Sequence, residues 1–186
     1  MDIATAQRDV RTAFLGGFAG QLVSGLIWLA SGASATWSSP KLAILLLVVG
    51  GIFIFPLTLL LLKAMGRPAG LPKNHPMNGL GLQVALIVPF TLPVVGGATL
   101  HHLNWFYPAC MIVVGAHYLP FIFMYGMWQF GVLAALLIGG GLALGMFVPS
   151  SFVLGAWVTA IALMVFAFIA RAASAREHEI GRETAA

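Results

Sequence analysis

His117 is the side chain in this chain best placed to do chemistry inside a membrane. It follows Pro108 by nine residues in an apolar run. At ~1.5 Å per residue that carries it about 14 Å along a helix, near the middle of a bilayer. Pro120, three residues on, has no N–H to donate to the carbonyl of Ala116. An ionisable ring therefore sits beside a freed backbone acceptor. Such residues mark ligand or ion pathways by default, because a polar ring in hydrocarbon is costly unless it is used or paired. The structural alternative is a neutral histidine hydrogen-bonded between helices. Tyr118, Gln83 and Pro120 join His117 as candidate ligand-binding residues.

Other chemistries are poorly served. His101 and His102 invite a shared metal with His117, but a common ion would have to bridge well over about 15 Å along the helix. Interfacial histidines beside Asn104 and Trp105 are the simpler account. Cys110 lies seven residues before His117, about 10 Å away, too far for a nucleophile and its base. As the only cysteine it forms no intrachain disulfide, and it reads as a small buried hydrophobe. No GxSxG, HExxH, Walker loop or dinucleotide fingerprint occurs. Nothing here implies a catalytic residue, a metal or a cofactor.

The elements that must position these residues are membrane spans. The chain is 60% hydrophobic and 8% charged, against about 25% charged in soluble domains. No carboxylate lies between Ala13 and Ala170; Asp2 and Asp9 precede that stretch, and Glu177, Glu179 and Glu183 follow it. Paired-acid catalysis and carboxylate metal cages are thereby removed. Runs of about 20 apolar residues span a bilayer as helix. Six are expected, at about 13–31, 41–62, 80–100, 107–127, 129–148 and 151–170. The fold class is an all-α, polytopic six-helix membrane bundle. Residues 1–12 form an N-terminal segment and 171–186 a charged, helical C-terminal tail. The polar start is too long for a signal peptide, so the first span is expected to be retained.

The breaks read as turns: SGASATWSSP at 31–40, the Pro- and Gly-rich loop 63–79, HHLNWF at 101–106 and VPSS at 148–151. Of nine Lys and Arg, only Lys41 falls on one side of a six-span topology. The positive-inside bias then places both termini in the cytoplasm. The basic residues form no patch for nucleic acid.

Prolines at 40, 108 and 149 suggest three spans with a shared start signal, or three related hairpins. Pro56, Pro89, Pro93 and Pro120 interrupt spans two to four, as in transporters and in ordinary bundles. Gln21, Gln83 and Gln129 either line a polar cavity or hydrogen-bond between helices. Gly16/Gly20 and Gly141/Gly145 form GxxxG pairs, suited to internal packing and also to a homo-oligomer. Trp37, Trp105, Phe106 and Tyr107 fit one interfacial aromatic belt, and Tyr125 with Trp128 the other.

Ala6-Gln7-Arg8-Asp9 with Arg11, Phe14-Leu15-Gly16-Gly17 and Leu22-Val23-Ser24-Gly25 form a distinctive run. So do Phe55-Pro56-Leu57, Gly66-Arg67-Pro68, Trp105-Phe106-Tyr107-Pro108-Ala109 and Gly115-Ala116-His117-Tyr118-Leu119. Together they resemble a family of small bacterial integral membrane proteins known only as a domain of unknown function. The resemblance fades after about Gly126. It implies a multi-pass protein of the bacterial inner membrane and carries over no activity or site residue.

The leading functional expectation is a transporter or channel for a small, neutral or weakly polar solute. Its site would lie in spans two to four around His117, Tyr118 and Gln83. The alternative is a non-catalytic membrane scaffold or partner subunit, with loop 63–79 and the charged termini as working surfaces. An enzyme comes third. The bilayer itself is the one partner that composition demands.

Overall fold

The computed structural model describes residues 2–68 and 70–183. Seven helices follow one another: α1 (Ile3–Phe14), α2 (Phe18–Trp37), α3 (Pro40–Ala64), α4 (Met77–His101), α5 (Phe106–Tyr125), α6 (Gln129–Phe147) and α7 (Leu154–Glu183). Short 3-10 turns at Leu15–Gly17 and Leu103–Trp105 complete the order. Among the described residues, six helical segments are long and apolar enough to cross a membrane. A lipid-exposed backbone must pair its own N–H and C=O groups, because no water reaches them there, and these segments do so as helix.

The N-terminal segment is itself a helix. Asp2 caps α1, accepting from the N–H of Thr5 at 2.7 Å. Ala6, Val10 and Ala13 recur at helical spacing and form its buried stripe. The first apolar run then breaks at Leu15, Gly16 and Gly17, all with positive φ. Gly16 needs this freedom and its missing side chain, since a Cβ there would lie 2.7 Å from the Ala170 carbonyl oxygen on α7. The spanning helix therefore starts at Phe18, not at residue 13.

It also ends later than expected. The Ser/Gly stretch 31–37 is helix, and the turn is confined to Ser38 and Ser39. Three contacts hold it. Ser31 Oγ donates to the Ala43 carbonyl at 2.8 Å, Thr36 Oγ1 back-bonds to Gly32, and Gly32 approaches Ala156 of α7. Ser39 caps α3, and Pro40 occupies its first turn.

Pro149 does not open the last helix. α7 starts at Leu154, and the Pro149 carbonyl accepts a hydrogen bond from Asn104 at 2.8 Å. The third member of the suggested hairpin repeat thus lacks its start signal. The interior prolines of α3, α4 and α5 lie in helices that continue past them.

Packing is uneven. α2 sits between α3 and α7, and α5 between α4 and α6. The two groups meet where α7 touches α6 and α5, where α1 touches α5, and where Trp28 and Ser31 of α2 meet Tyr107 of α5. Glycines allow the tightest approaches: Gly25 against Met164 of α7, Gly141 against the Pro108 carbonyl of α5, and Gly155 against Tyr107. α3 and α4 are the edges. Their large side chains, such as Ile52, Phe53, Phe55, Phe90 and Val94, face outward as lipid-facing groups should.

α1, the α3–α4 connection and the far end of α7 gather at one end of the bundle, hereafter the basic end. Asp9 of α1 lies 3.4 Å from His75 in that connection, and Gly16 lies beside α7. Lys41 lies at the opposite end.

Two tyrosines expected in the belts are core residues. Tyr107 and Tyr125 are buried, as is Phe106, while Trp37, Trp105 and Trp128 stay exposed. Tyr107 is held by polar contact: its hydroxyl donates to Ser31 Oγ at 2.6 Å, since Ser31 donates onward to Ala43.

Candidate functional site

His117 lies on the face of α5 that meets α4. Its Nδ1 is 2.9 Å from the carbonyl oxygen of Val84. A carbonyl only accepts, so Nδ1 carries the proton and donates. In the neutral ring Nε2 is then an acceptor. The ring is part-buried and turned to protein. Val84 itself is 1% exposed and is one of the few fully buried residues of α4, so the bond lies on the strip by which α4 attaches.

Tyr118, the next residue, points into a cluster of aromatic rings. It stacks on Phe130 at 6.0 Å and meets Phe121 edge-on at 5.4 Å. Tyr125 closes the group, 4.9 Å from Phe130 and 5.5 Å from Phe121. His117 borders it, 5.0 Å from Phe121. Offset and edge contacts of this kind contribute about 0.5–1.5 kcal/mol each beyond area burial. Gly17 brings α2 against the cluster, since a Cβ there would lie 3.0 Å from Phe130.

The structure thus brings His117 and Tyr118 together, with Pro120 part-buried one turn on. It does not bring Gln83 to them. Gln83 lies on the exposed side of α4, because the inward position is taken by Val84, one residue and about 100° away. Gln21 is buried on α2, one turn beyond Gly17 on the stripe that meets the aromatic cluster. Among the described residues, its Oε1 has no hydrogen-bond partner, and neither has Oε1 of Gln129.

His101 and His102 pack on Trp105, at 5.5 and 5.8 Å, away from His117. Cys110 is buried. Among the described residues, no three His, Cys, Asp or Glu side chains come together as a metal site. The chemistry on offer at His117 is therefore hydrogen bonding: one donor engaged with Val84, one acceptor, and an aromatic wall.

A second histidine was not singled out by sequence reasoning. The side chain of His75, in the α3–α4 connection, is 1% exposed. Its Nδ1 accepts from the N–H of Met77 at 3.2 Å, in the manner of an N-cap, and Nε2 faces Asp9 at 3.4 Å. The only local signal was its place just before Pro76 and the first turn of α4.

The distinctive N-terminal run also finds its reason. Ala6 is buried, Asp9 meets His75, Gln7 Nε2 donates to the Phe123 carbonyl at 2.6 Å, and Arg11 donates to that of Tyr125. Gln7 and Arg11 bind α1 to the C-terminal end of α5, and Asp9 binds it to the α3–α4 connection. A family model of unknown function, DUF7010, matches residues 3–173, from α1 into α7. The chain belongs to the DUF7010 family. The match runs well beyond Gly126, where the recognisable motifs fade. No curated protein and no solved structure matches the chain.

Proposed function

We propose that this DUF7010 member is a membrane-embedded carrier or channel for a small, neutral or weakly polar solute, with His117 as its polar contact. The observation that carries the reading is the hydrogen bond from His117 to Val84. It is a polar link across the interface of α4 and α5, in a region of α4 that also holds Pro89 and Pro93. A solute hydroxyl or amide that competes for the ring or for the Val84 carbonyl would loosen α4 at its narrow attachment. Carriers and channels need such an element, and broken or proline-bearing helices recur in them. The absence of intramembrane carboxylates argues against cation coupling through acids. The charge bias fits a basic end that is cytoplasmic, and the motif resemblance implies a bacterial inner membrane as the setting.

The aromatic packing around Tyr118 favours a second reading, a scaffold with a closed core. Thiol labelling separates the two. In a Cys110→Ala background, Ala116→Cys places a thiol beside His117, and Leu119→Cys places one on the exposed face. A thiol reacts as thiolate and so needs water. In intact membranes a carrier or channel predicts that a membrane-impermeant reagent labels Ala116→Cys and spares Leu119→Cys. Labelling of Ala116→Cys only after denaturation would move the assignment to the scaffold.

A further inference from the structure

α3 and α4 are consecutive in the chain but pack chiefly on other helices, α3 on α2 and α4 on α5. Between them, in the half of the bundle that carries Lys41, lies an open groove of about 410 Å³. Ile44 and Val48 of α3 form one wall, and Leu92, Val95 and Gly96 of α4 form the other, together with Phe106. Thr99 also borders it, but its hydroxyl is turned to its own helix, donating to Val95 at 2.7 Å. The lining is therefore apolar, and the volume falls within the range of about 300–1,000 Å³ typical of small-molecule sites.

The mouth is not apolar. Lys41 precedes Ile44 by three residues and Val48 by seven, the spacing of one helix face. It is exposed, and side chains lean toward a helix N-terminus, so its ammonium extends outward from the groove. His102 and Trp105 stand exposed at the same end of the bundle, where α4 gives way to α5. Lys41 has no acidic residue at its end of the bundle. Asp2 and Asp9 belong to α1 at the basic end, and Glu177, Glu179 and Glu183 follow the part of α7 that passes Gly16. From Lys41 to the basic end is about 33 Å along α3 at ~1.5 Å per residue. Any counterion of Lys41 therefore comes from outside the chain.

We propose that the α3–α4 groove binds one acyl chain of an anionic phospholipid, whose phosphate pairs with Lys41. An acyl tail alone gains little by leaving other tails for a protein groove, since both surroundings are equally apolar. Shape holds the tail, and the charge at Lys41 selects the headgroup. This site is independent of His117 and stands or falls without the carrier reading.

Photo-crosslinking of the full-length protein in phosphatidylcholine vesicles tests it. The vesicles carry a trace of phosphatidylglycerol with a photoreactive acyl chain. The expected result is saturable labelling confined to residues 44–48 of α3 and 92–99 of α4. Unlabelled phosphatidylglycerol should compete it away, while phosphatidylcholine of the same chain length should not. Lys41→Gln should weaken the competition about fivefold, the effect of one lysine near anionic headgroups. Gly96 has open space where a Cβ would go, so Gly96→Phe should fill the groove and abolish labelling. If Gly96→Phe fails to fold, Lys41→Gln alone decides. Labelling spread evenly over the lipid faces, equal competition by both lipids, or no change in Lys41→Gln would overturn the proposal. So would disulfide-linked dimers of Gly96→Cys without lipid labelling, which would mean that a second copy fills the groove.

Discussion

Arg11 of α1 donates to the carbonyl of Tyr125, 114 residues away, over 2.5 Å. The contact sets a cation at the C-terminal end of α5, where unpaired carbonyls and the helix dipole favour positive charge. Gln7 supports it from the previous turn of α1 through Phe123. An amphipathic segment outside the spans is thereby locked to the core of the bundle.

Arg11→Ala should destabilise the protein by about 1.5–3 kcal/mol, the range for hydrogen bonds to charged groups. Gly126→Ala should cost about 1–2 kcal/mol through its left-handed backbone alone. Its φ is +64°, and a Cβ would stand 2.6 Å from Gln7 Oε1 and 2.9 Å from an Arg11 nitrogen. Because Gly126→Ala already displaces Arg11, the two should be less than additive. Unfolding of both single variants and the double variant in detergent checks this. Strict additivity would mean that Gly126→Ala leaves the Arg11 contact in place.

The Ser31–Tyr107 pair predicts an asymmetry. Tyr107→Phe leaves Ser31 donating to Ala43, so it should cost about 0.5–1.5 kcal/mol. Ser31→Ala leaves the buried Tyr107 hydroxyl without its acceptor, a loss of about 1–3 kcal/mol. Thermal unfolding should therefore rank Ser31→Ala as the more damaging change. The reverse order would show that Tyr107 finds another partner.

Glycines of α6 separate by what they face. A Cβ at Gly141 would lie 2.7 Å from the Pro108 carbonyl oxygen and 2.9 Å from Ile112, whereas Gly139 meets nothing within 4 Å. Gly141→Ala should push α6 from α5 and cost about 1–3 kcal/mol as overpacking. Gly139→Ala should be neutral, or stabilising by up to about 1 kcal/mol through helix propensity. Parallel stability measurements of the two decide. Equal effects would mean that the α5–α6 contact yields to a methyl group.

Orientation follows from charge. A reporter enzyme fused after Ala186 should read as cytoplasmic, and one inserted between Ser38 and Ser39 as lying across the membrane. Reversing both signals would remove the positive-inside argument.

The six spans, their order and the clustering of basic residues at one end were legible in the sequence. Their physical cause is local: within one apolar run of about 20 residues, helix pairs almost all the backbone groups without help from neighbouring segments. Where each helix began and ended was less legible. Ser31 looks like a turn residue but is helical because Ala43 and Tyr107 satisfy it, and Gly16 looks like a packing residue but also breaks the first span. Pro149 carries a start signal that the chain does not use until Leu154. In a membrane the outer face is as apolar as the core, so hydrophobicity does not tell the two apart. That is why Gln83, a candidate site residue, faces outward while its neighbour Val84 takes the inward position, and why Tyr107 and Tyr125 leave the belts for the core. His117 stood out by its type, its depth after Pro108 and the nearby Pro120. Its carbonyl partner on α4, the aromatic wall beside it and the gap between α3 and α4 are decided only by which helices pack together, and that depends on close approaches between residues far apart in the chain.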